Sequence, residues 1–529
     1  MDYDIVLFWI VCPFCLFGLA AMWTRRRFEA TGWIVPYVAI LLLSVTGWWR
    51  QQPALIYTGA AIWALLVLLP LLISNLCNRR FMQQRYAAAR RLAQIVGWLH
   101  PADGFREQPK VIHALELAQR GDVTAAAEAL QRFQNVKSLI GLVAIVNLYR
   151  ITNQWEELLV WEARHRQEIE RYPHLLPALL RARGETGDVR GMVEFYDLHR
   201  KQISKLVSVA SRDMCRLMLF AFCGKRHAAE SLCAGSLAML PAPTRVFWLA
   251  TADLASGAKE SAKRQLEATL PTADPLTRRA IEGRLSRISI PTQPLDASAE
   301  RVIEEAARER GHEETFGSKR SLFSNRARVT QILITLNVLM FALEICLGGS
   351  TNLRVLYRLG GLFPPSVREG QWWRLIASLF LHHGAIHLAM NMFALWILGP
   401  ITEFALGRRR YLLVYLLAGV GSMGTVMIFS SGRPGELTVG ASGCIMGLVG
   451  ATGALMLRGW LKQKALAAKR RLVAMLLIVA MQTLFDSMIP QVSMTGHLSG
   501  ALLGFVATLF LRDRLTAPSG TEKEDQSNS

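Results

Sequence analysis

Long apolar segments separated by short polar turns occupy both ends of the chain, and a mainly polar stretch lies between the two groups. Three apolar segments open the sequence, at residues 5–23, 33–49 and 54–77, and each is about long enough to cross a ~30 Å hydrocarbon core. Six more follow the polar stretch, at residues 331–347, 376–398, 411–429, 441–457, 472–485 and 495–511. The pattern predicts an all-α, polytopic membrane protein with nine transmembrane helices, three before and six after a soluble region.

The polar stretch at residues 86–287 is rich in Ala, Leu and Arg and has its own internal repeat. Turn-forming pairs recur about every 34 residues, and they begin at Gly121, Asn153, Gly187, Gly224 and Gly257. Helical patterns on both sides of each turn indicate an α-solenoid. The repeats resemble degenerate tetratricopeptide repeats, which implies a groove for a protein or peptide ligand. A packed helical domain without a ligand is the alternative.

The charge pattern bears on topology. The chain has 60 Lys and Arg against 40 Asp and Glu, for a net charge of +20, yet 52% of its 529 residues are hydrophobic. Basic runs flank the apolar segments, at residues 25–27, 79–80, 408–410 and 469–471, as the positive-inside rule requires. We therefore expect the lipid bilayer, and no nucleic acid, as a partner. The N-terminus would be external, and the repeats and C-terminus cytoplasmic, in a bacterial plasma (inner) membrane or, alternatively, an organellar one.

These patterns divide the chain into five regions. They are an N-terminal three-helix membrane region at 1–80, helical repeats at 86–287, a linker at 288–328, a six-span domain at 329–514 and a disordered tail at 515–529. The linker contains prolines and mixed charges, and the tail is polar and acidic.

Ser442 stands where the fourth of the six later segments begins, in the run Gly440-Ala441-Ser442-Gly443-Cys444. Free backbone N–H groups and the helix dipole at such a position can stabilise the oxyanion of a tetrahedral intermediate. The glycines at 443, 447 and 450 share one face, which allows close contact with another helix. A lone serine of this kind is more often a cap or packing residue, so its assignment as a nucleophile needs a partner base.

His497 is the candidate base, because His497, Gly500 and Gly504 form one stripe of the sixth segment. Two glycine-faced helices can approach closely enough for His497 to accept the Ser442 proton. No acidic residue adjoins His497 in sequence, and Asp486 is assigned to the preceding loop. The sequence therefore predicts a Ser–His dyad and not a triad.

The second of the later segments supplies candidate oxyanion donors. His387 and Asn391 are four residues apart, so they share a helix face and could direct donors at one oxygen. The nearby His382 and His383 either line a water-accessible cavity or lie at the membrane interface.

A His-x-x-x-Asn helix, then a Gly-x-Ser-Gly helix start, then a His-x-x-Gly-x-x-x-Gly helix within six spans resembles the rhomboid intramembrane proteases. The resemblance covers about residues 331–514. It implies that Ser442 is the nucleophile and His497 the general base. His387, Asn391 and the Ser442 N–H would form the oxyanion hole.

The resemblance also implies structural or cavity-lining residues around this centre. They are His382, Arg374, Glu403, Gly440, Gly443, Met446, Gly500 and Gly504. Arg374 belongs to a Trp-Arg pair of the family, and Glu403 with Gly407 matches its acidic residue and glycine. Met446 departs from the family, since many relatives have an aromatic residue there that stacks on the catalytic histidine. A methionine is soft enough to fill that space.

The activity implied by the resemblance is hydrolysis of a peptide bond in or near the transmembrane segment of a membrane-protein substrate, with no metal or organic cofactor. One alternative is a catalytically silent rhomboid-like scaffold that binds membrane clients and recruits soluble partners through the repeats. Such scaffolds usually lack the Ser or the His, and both are present here. A transporter would show inverted repeats or charged residues in mid-span, and neither is clear.

Overall fold

The described residues form helices joined by turns and loops, with one isolated β-bridge between Leu362 and Thr438. The computed structural model describes residues 3–24, 31–134, 138–206, 208–287, 295–317, 327–430, 437–488 and 493–515. The chain divides into two compact units, Met1–Ala307 and Arg308–Ser529. Eight described helices are long and apolar enough to cross a membrane. The predicted all-α, polytopic membrane fold is therefore confirmed.

Several predicted features lie outside the described residues. They are the basic turn at 25–27, linker residues 288–294 and 318–326, the loop at 431–436 and the tail after residue 515.

The first unit begins with apolar helices joined by close contacts. They are α1 (Tyr3–Thr24), α2 (Thr31–Trp49), α3 (Pro53–Trp63) and α4 (Leu69–Met82). A π-helical turn connects α3 to α4, so that Pro53–Met82 is one continuous 30-residue helix. Small residues bring these helices together, because a Cβ atom on Gly18 would lie 2.7 Å from the Tyr37 ring. One on Gly59 would lie 2.7 Å from Ser44 Oγ.

The rest of the first unit is a run of short helices. They are α5 (Tyr86–Leu99), α6 (Gln108–Gln119), α7 (Val123–Gln131), α8 (Leu139–Thr152), α9 (Trp155–Arg164), α10 (Arg166–Arg171), α11 (Leu176–Glu185), α12 (Val189–Ser204), α13 (Val209–Phe222), α14 (Arg226–Ala234), α15 (Ala242–Ala255), α16 (Lys259–Thr269) and α17 (Pro275–Leu285). The next helix, α18 (Ala297–Gly317), contains the boundary between the two units.

The repeating turns of the sequence fall between paired helices of this run. Gly121, Asn153, Gly187, Gly224 and Gly257 all have positive φ directly after a helix, the conformation that ends many helices. The second helix of a pair then starts at once. Asp122 and Asp188 cap α7 and α12, accepting hydrogen bonds of 3.0 and 2.9 Å from the backbone N–H groups of Ala125 and Gly191.

The second unit contains the later spans. Its helices are α19 (Arg328–Cys346), α20 (Leu353–Arg358), α21 (Pro364–Arg368), α22 (Arg374–Ala377), α23 (Ala385–Leu406), α24 (Arg408–Phe429), α25 (Ser442–Gln463), α26 (Leu466–Met488) and α27 (Met494–Leu509). Helix α25 is the centre of the bundle, since 78% of its apolar window is buried against 11% for α26. The ninth predicted span corresponds to α27, an apolar helix shorter than the other spans.

The segment predicted at 376–398 is displaced in the structure, where α23 runs from Ala385 to Leu406. Gly384 has a φ of 91°, and Leu381 is extended, so the helix cannot begin earlier. At the other end the helix continues past Pro400, as spanning helices can when neighbouring groups satisfy the freed backbone.

Helices α25 and α27 meet backbone to backbone along their glycines. A Cβ atom on Gly500 would lie 2.3 Å from the Gly443 carbonyl oxygen, and one on Gly504 would lie 2.0 Å from that of Gly447. One on Gly450 would lie 1.9 Å from the Ala501 carbonyl oxygen. Residue numbers rise together from the Gly443–Gly500 contact to the Gly447–Gly504 contact, so the two helices run parallel.

Glu403 and Arg374 fix the elements around this pair. The Glu403 carboxylate accepts hydrogen bonds from the N–H groups of Val329 and Thr330, at 3.1 and 2.9 Å, and so caps the start of α19. The buried Arg374 donates from Nη1 to the carbonyl oxygens of Tyr357 and Gly361, at 2.6 and 3.0 Å. Its guanidinium also lies over the Tyr357 ring. Both residues therefore hold the fold through hydrogen bonds to backbone groups.

A matched pair of substitutions tests the glycine contact. Gly450→Ala should lower the free energy of unfolding by about 2 kcal/mol, because the new methyl group meets a backbone atom that cannot move aside alone. Gly453→Ala, three residues along the same helix, places its methyl 3.7 Å from the nearest atom and should be neutral or stabilising by up to ~1 kcal/mol. Unfolding in mixed micelles measures both, and equal losses would contradict the packing described.

Candidate active site

Ser442 is the first residue of α25, and a sharp backbone turn places it there. Gly440 has a φ of 132°, and its N–H donates to the Ser378 carbonyl oxygen at 2.9 Å. The bond from Ile445 N–H to the Ala441 carbonyl oxygen closes the first helical turn. The N–H groups before Ile445 therefore have no acceptor within the helix. The half-buried Ser442 hydroxyl lies beside these donors.

His387 lies against the same turn. A Cβ atom on Gly440 would be 2.9 Å from His387 Nε2 and 3.7 Å from Ser442 Oγ. The imidazole and the hydroxyl thus flank the space that the missing side chain leaves. Only glycine permits both this φ and this contact.

Asn391 follows one helical turn after His387. Asn391 is buried, and its Nδ2 has no hydrogen-bond partner among the described residues. A buried amide donor without a hydrogen-bond partner lowers the stability of the protein by about 1–3 kcal/mol. Such a donor is available to an oxygen that arrives with a substrate.

The glycine contact sets the height of His497. Because Gly500 packs on Gly443 and Gly504 on Gly447, the residue one turn before Gly500 comes level with the start of α25. That residue is His497, which is buried. The structure places Ser442 and His497 at the same level of the bundle. No hydrogen bond joins the two side chains in the described part of the chain. His497 also lies close enough to His387 for the charge of one ring to act on the other.

Asp486 contacts His497, although the two residues are eleven positions apart in sequence. His497 Nδ1 lies 2.8 Å from Asp486 Oδ2, and the Asp486 side chain is fully buried. Asp486 belongs to the last turn of α26 and not to a loop. Gln482, one turn earlier, donates from Nε2 to Asp486 Oδ1 at 2.8 Å and lies 3.3 Å from His497 Nδ1. The shorter carboxylate contact favours a proton on Nδ1, which leaves Nε2 free to act as a base.

His382 is buried behind His387, and a second carboxylate supports it. The backbone N–H of His382 donates to Glu344 Oε1 at 2.9 Å. The ring centroids of His382 and His387 are 5.2 Å apart. Glu344 Oε2 is buried without a hydrogen-bond partner among the described residues. The interior next to His387 is therefore polar. His383, by contrast, is exposed.

Met446 is buried but packs in an apolar cluster. Its neighbours there are Val449, Ala501 and the partly buried Met475 and Val479. The thioether thus fills space between α25, α26 and α27, one turn below Ser442.

The predicted residues separate into two groups. The structure collects Ser442, His497, His387, Asn391, His382, Gly440, Gly443 and Gly500 at one end of the α23–α25–α27 contact. Glu403 lies twelve residues beyond Asn391 on α23, about 18 Å away along the helix axis. Sequence reasoning missed Asp486, Gln482 and Glu344. An available signal was that each is a polar side chain within or beside an apolar span. No group of three or more His, Cys, Asp or Glu with metal-binding geometry occurs in the described residues.

A serine, histidines and a buried amide thus lie together at the start of one helix in a helical membrane bundle. Residues 369–514 match the family described as the rhomboid domain. The chain is 32% identical over 200 residues to rhomboid protease GluP of Bacillus subtilis, covering 38% of each chain. It is 36% identical over 160 residues to RHOMBOID-like protein 6, mitochondrial, of Arabidopsis thaliana, covering 30% of this chain and 50% of the relative.

A shorter relative is matched over most of its length. The putative rhomboid protease YdcA of Bacillus subtilis is 33% identical over 140 residues, which are 26% of this chain and 67% of YdcA. The chain belongs to the rhomboid family, as an integral, multi-pass membrane protein. It spans about 38 to 50% of the length of GluP and RHOMBOID-like protein 6.

A substitution at the turn tests the arrangement around Ser442. Gly440→Ala should lower the rate of reaction with a serine-directed fluorophosphonate ~100-fold or more, because the methyl group displaces the His387 ring. Gly370→Ala is the control, since Gly370 also has a positive φ, of 100°, with no atom within 4 Å of an added Cβ. It therefore measures backbone strain alone, and equal effects of the two substitutions would refute a role for the His387 contact.

Proposed function

We propose that this protein is an intramembrane serine endopeptidase in which Ser442 attacks the substrate and His497 acts as general base. The observation that carries the proposal is the position of His497, held by Asp486 on one side and level with the start of α25 on the other. The membership of the rhomboid family, which includes proteins named as proteases, supports the same reaction.

The chemistry follows from the positions of the groups. Ser442 Oγ adds to the scissile carbonyl carbon while its proton passes to His497 Nε2. The carbonyl oxygen becomes an oxyanion that accepts hydrogen bonds from the Ser442 N–H, Asn391 Nδ2 and His387. His497 then protonates the departing amine, and water, activated by the same histidine, hydrolyses the acyl-enzyme. The reaction needs no metal or organic cofactor.

Asp486 is a positioning residue in this scheme. By accepting the Nδ1 proton of His497, it selects the tautomer whose Nε2 can take the serine proton, and it stabilises the imidazolium that forms. Gln482 holds the Asp486 carboxylate from its other oxygen. The sequence-based dyad thus becomes a Ser–His pair supported by a buried carboxylate.

The substrate is proposed to be a membrane protein cut in or near a transmembrane segment. The apolar side chains exposed on α19, α23 and α26 support contact of the bundle with lipid. The basic flanks of the spans support an orientation with the C-terminus in the cytoplasm and the Ser442 end of α25 towards the external side. A bacterial plasma membrane is the proposed location.

Residues 86–287 are proposed to be a cytoplasmic, tetratricopeptide-like helical domain that binds a protein or peptide. Five helix pairs support that architecture, each with a residue of positive φ in the turn between its two helices. The domain boundaries expected from the sequence are retained in this proposal.

Covalent labelling tests the nucleophile. A fluorophosphonate should label the wild-type protein in detergent, and labelling should disappear in Ser442→Ala and His497→Ala. Ser499→Ala is the matched control, because Ser499 is two residues from His497 but its hydroxyl donates to the Thr495 carbonyl oxygen at 2.6 Å. Loss of labelling only in the control, or persistence in Ser442→Ala, would contradict the assignment. A folded wild type inert to two different warheads would favour the silent scaffold.

The role of Asp486 is tested by splitting the labelling kinetics. Asp486→Asn should reduce the maximal rate of inactivation by about 10²- to 10⁴-fold, because the amide can no longer fix the His497 tautomer. The half-saturating probe concentration should stay within about twofold, since Asp486 is buried away from bound probe. A change in half-saturation with an unchanged maximal rate would assign Asp486 to packing instead.

A further inference from the structure

The helical domain of the first unit closes around a small cavity. Helices from the start and end of the run meet there, because Thr244 Oγ1 donates to Gln84 Oε1 at 3.1 Å and Pro275 packs against Gly121. The cavity has a volume of about 60 Å³, and Arg150, Arg181 and Arg279 line it together with aromatic and neutral polar residues. We call it the arginine cavity. None of the described residues that line it is acidic.

Arg181 is the best-supported of the three arginines. Its guanidinium lies over the rings of Trp155 and Trp248, at 5.1 and 5.2 Å from their centroids. Its Nε donates to Glu185 Oε1 at 3.1 Å. The other oxygen of that carboxylate accepts from Arg284 Nη2 at 2.7 Å. Glu185 is therefore shared by two guanidinium groups behind the cavity wall.

Arg150 has no such support. Its Nε and Nη2 are buried and have no hydrogen-bond partner among the described residues. Arg150 also acts on Arg181, since burial first and the Arg150 charge in addition lower the pKa of the Arg181 guanidinium. Arg279 on α17 makes no ion pair in the described part of the chain. Positive charge thus exceeds negative charge among the partly buried residues that line the cavity.

Partly buried positive charge without a counter-charge is unfavourable, so an excess of this kind favours an anionic ligand. A guanidinium presents paired N–H donors that match the two oxygens of a carboxylate. Glu185 is already held in this way by Arg181 and Arg284. The space of about 60 Å³ suits one small charged group and not a folded surface.

We infer that the arginine cavity is a binding site for a carboxylate group, held by Arg150 and Arg279 with Arg181 behind them. The carboxylate comes either from a free small acid or from an acidic side chain or C-terminus of a peptide. The site is independent of Ser442 chemistry and gives the helical domain a ligand class.

The test uses the full-length protein in detergent micelles and two probes. One is succinate, followed by calorimetry. The other is a fluorescent hexapeptide that ends in Glu-Asp with a free carboxyl terminus, followed by anisotropy beside its C-terminally amidated form. Arg150→Gln and Arg279→Gln should each weaken binding at least tenfold. Arg278→Gln is the matched control, because Arg278 is the exposed neighbour of Arg279 and donates to the Leu270 carbonyl oxygen outside the cavity.

Folding is measured in parallel. Without probe, Arg150→Gln should unfold at the same or a higher temperature than wild type, because it removes a partly buried charge whose Nε and Nη2 have no hydrogen-bond partner among the described residues. A probe that binds should raise the unfolding temperature of the wild-type protein but not that of Arg150→Gln.

The outcomes separate the sources of the ligand. Tight peptide binding that falls on amidation identifies a peptide carboxylate, and succinate binding of equal or greater strength identifies a free acid. Binding of neither probe would overturn the inference. So would binding that is unchanged in Arg150→Gln and Arg279→Gln, or lost equally in Arg278→Gln.

Discussion

The backbone contact between α25 and α27 is the interaction on which the rest of the second unit depends. Lipid chains are as apolar as leucine, so helices in a bilayer gain little from hiding apolar surface and must associate by close packing. Gly443, Gly447 and Gly450 provide that closeness against Gly500, Ala501 and Gly504. The same contact fixes the register that brings His497 level with Ser442. Stability and the candidate chemistry therefore share one structural cause.

Around this contact, polar groups are distributed unevenly, and the distribution has a function in the proposed scheme. Glu403 and Arg374 donate or accept hydrogen bonds with backbone groups and hold the ends of helices and loops. Near Ser442, Asn391 Nδ2 is buried without a partner in the described residues. Unsatisfied donors are unfavourable in a resting protein, but they are already oriented when negative charge develops on a substrate oxygen. Asp486 adds a fixed negative charge on the opposite side of His497.

Local sequence patterns predicted much of this arrangement. The glycine spacing on two spans indicated which helices approach, and the turns at Gly121 and Gly187 followed from the period of the helical repeats. What could not be predicted depends on contacts between distant segments. The start of α23 at Ala385 required the bend at Gly384, which hydropathy does not register. Asp486 directly follows the predicted span at 472–485, so the sequence assigns it to a loop, and only the fold reveals its contact with His497. The sequence likewise did not indicate that Arg150, Arg181 and Arg279 line one cavity, because they come together only where the first and last helices of the domain meet.

Cleavage within the bilayer is the most direct test of the central claim. The wild-type protein and Ser442→Ala would be reconstituted in liposomes with a library of single-span proteins that differ in helix-destabilising residues, and the products mapped by mass spectrometry. The account predicts cuts in or beside the transmembrane segment of a subset of the library with wild type, and none with Ser442→Ala. It would be contradicted if both proteins retained the same clients uncut, since that is the behaviour of a scaffold.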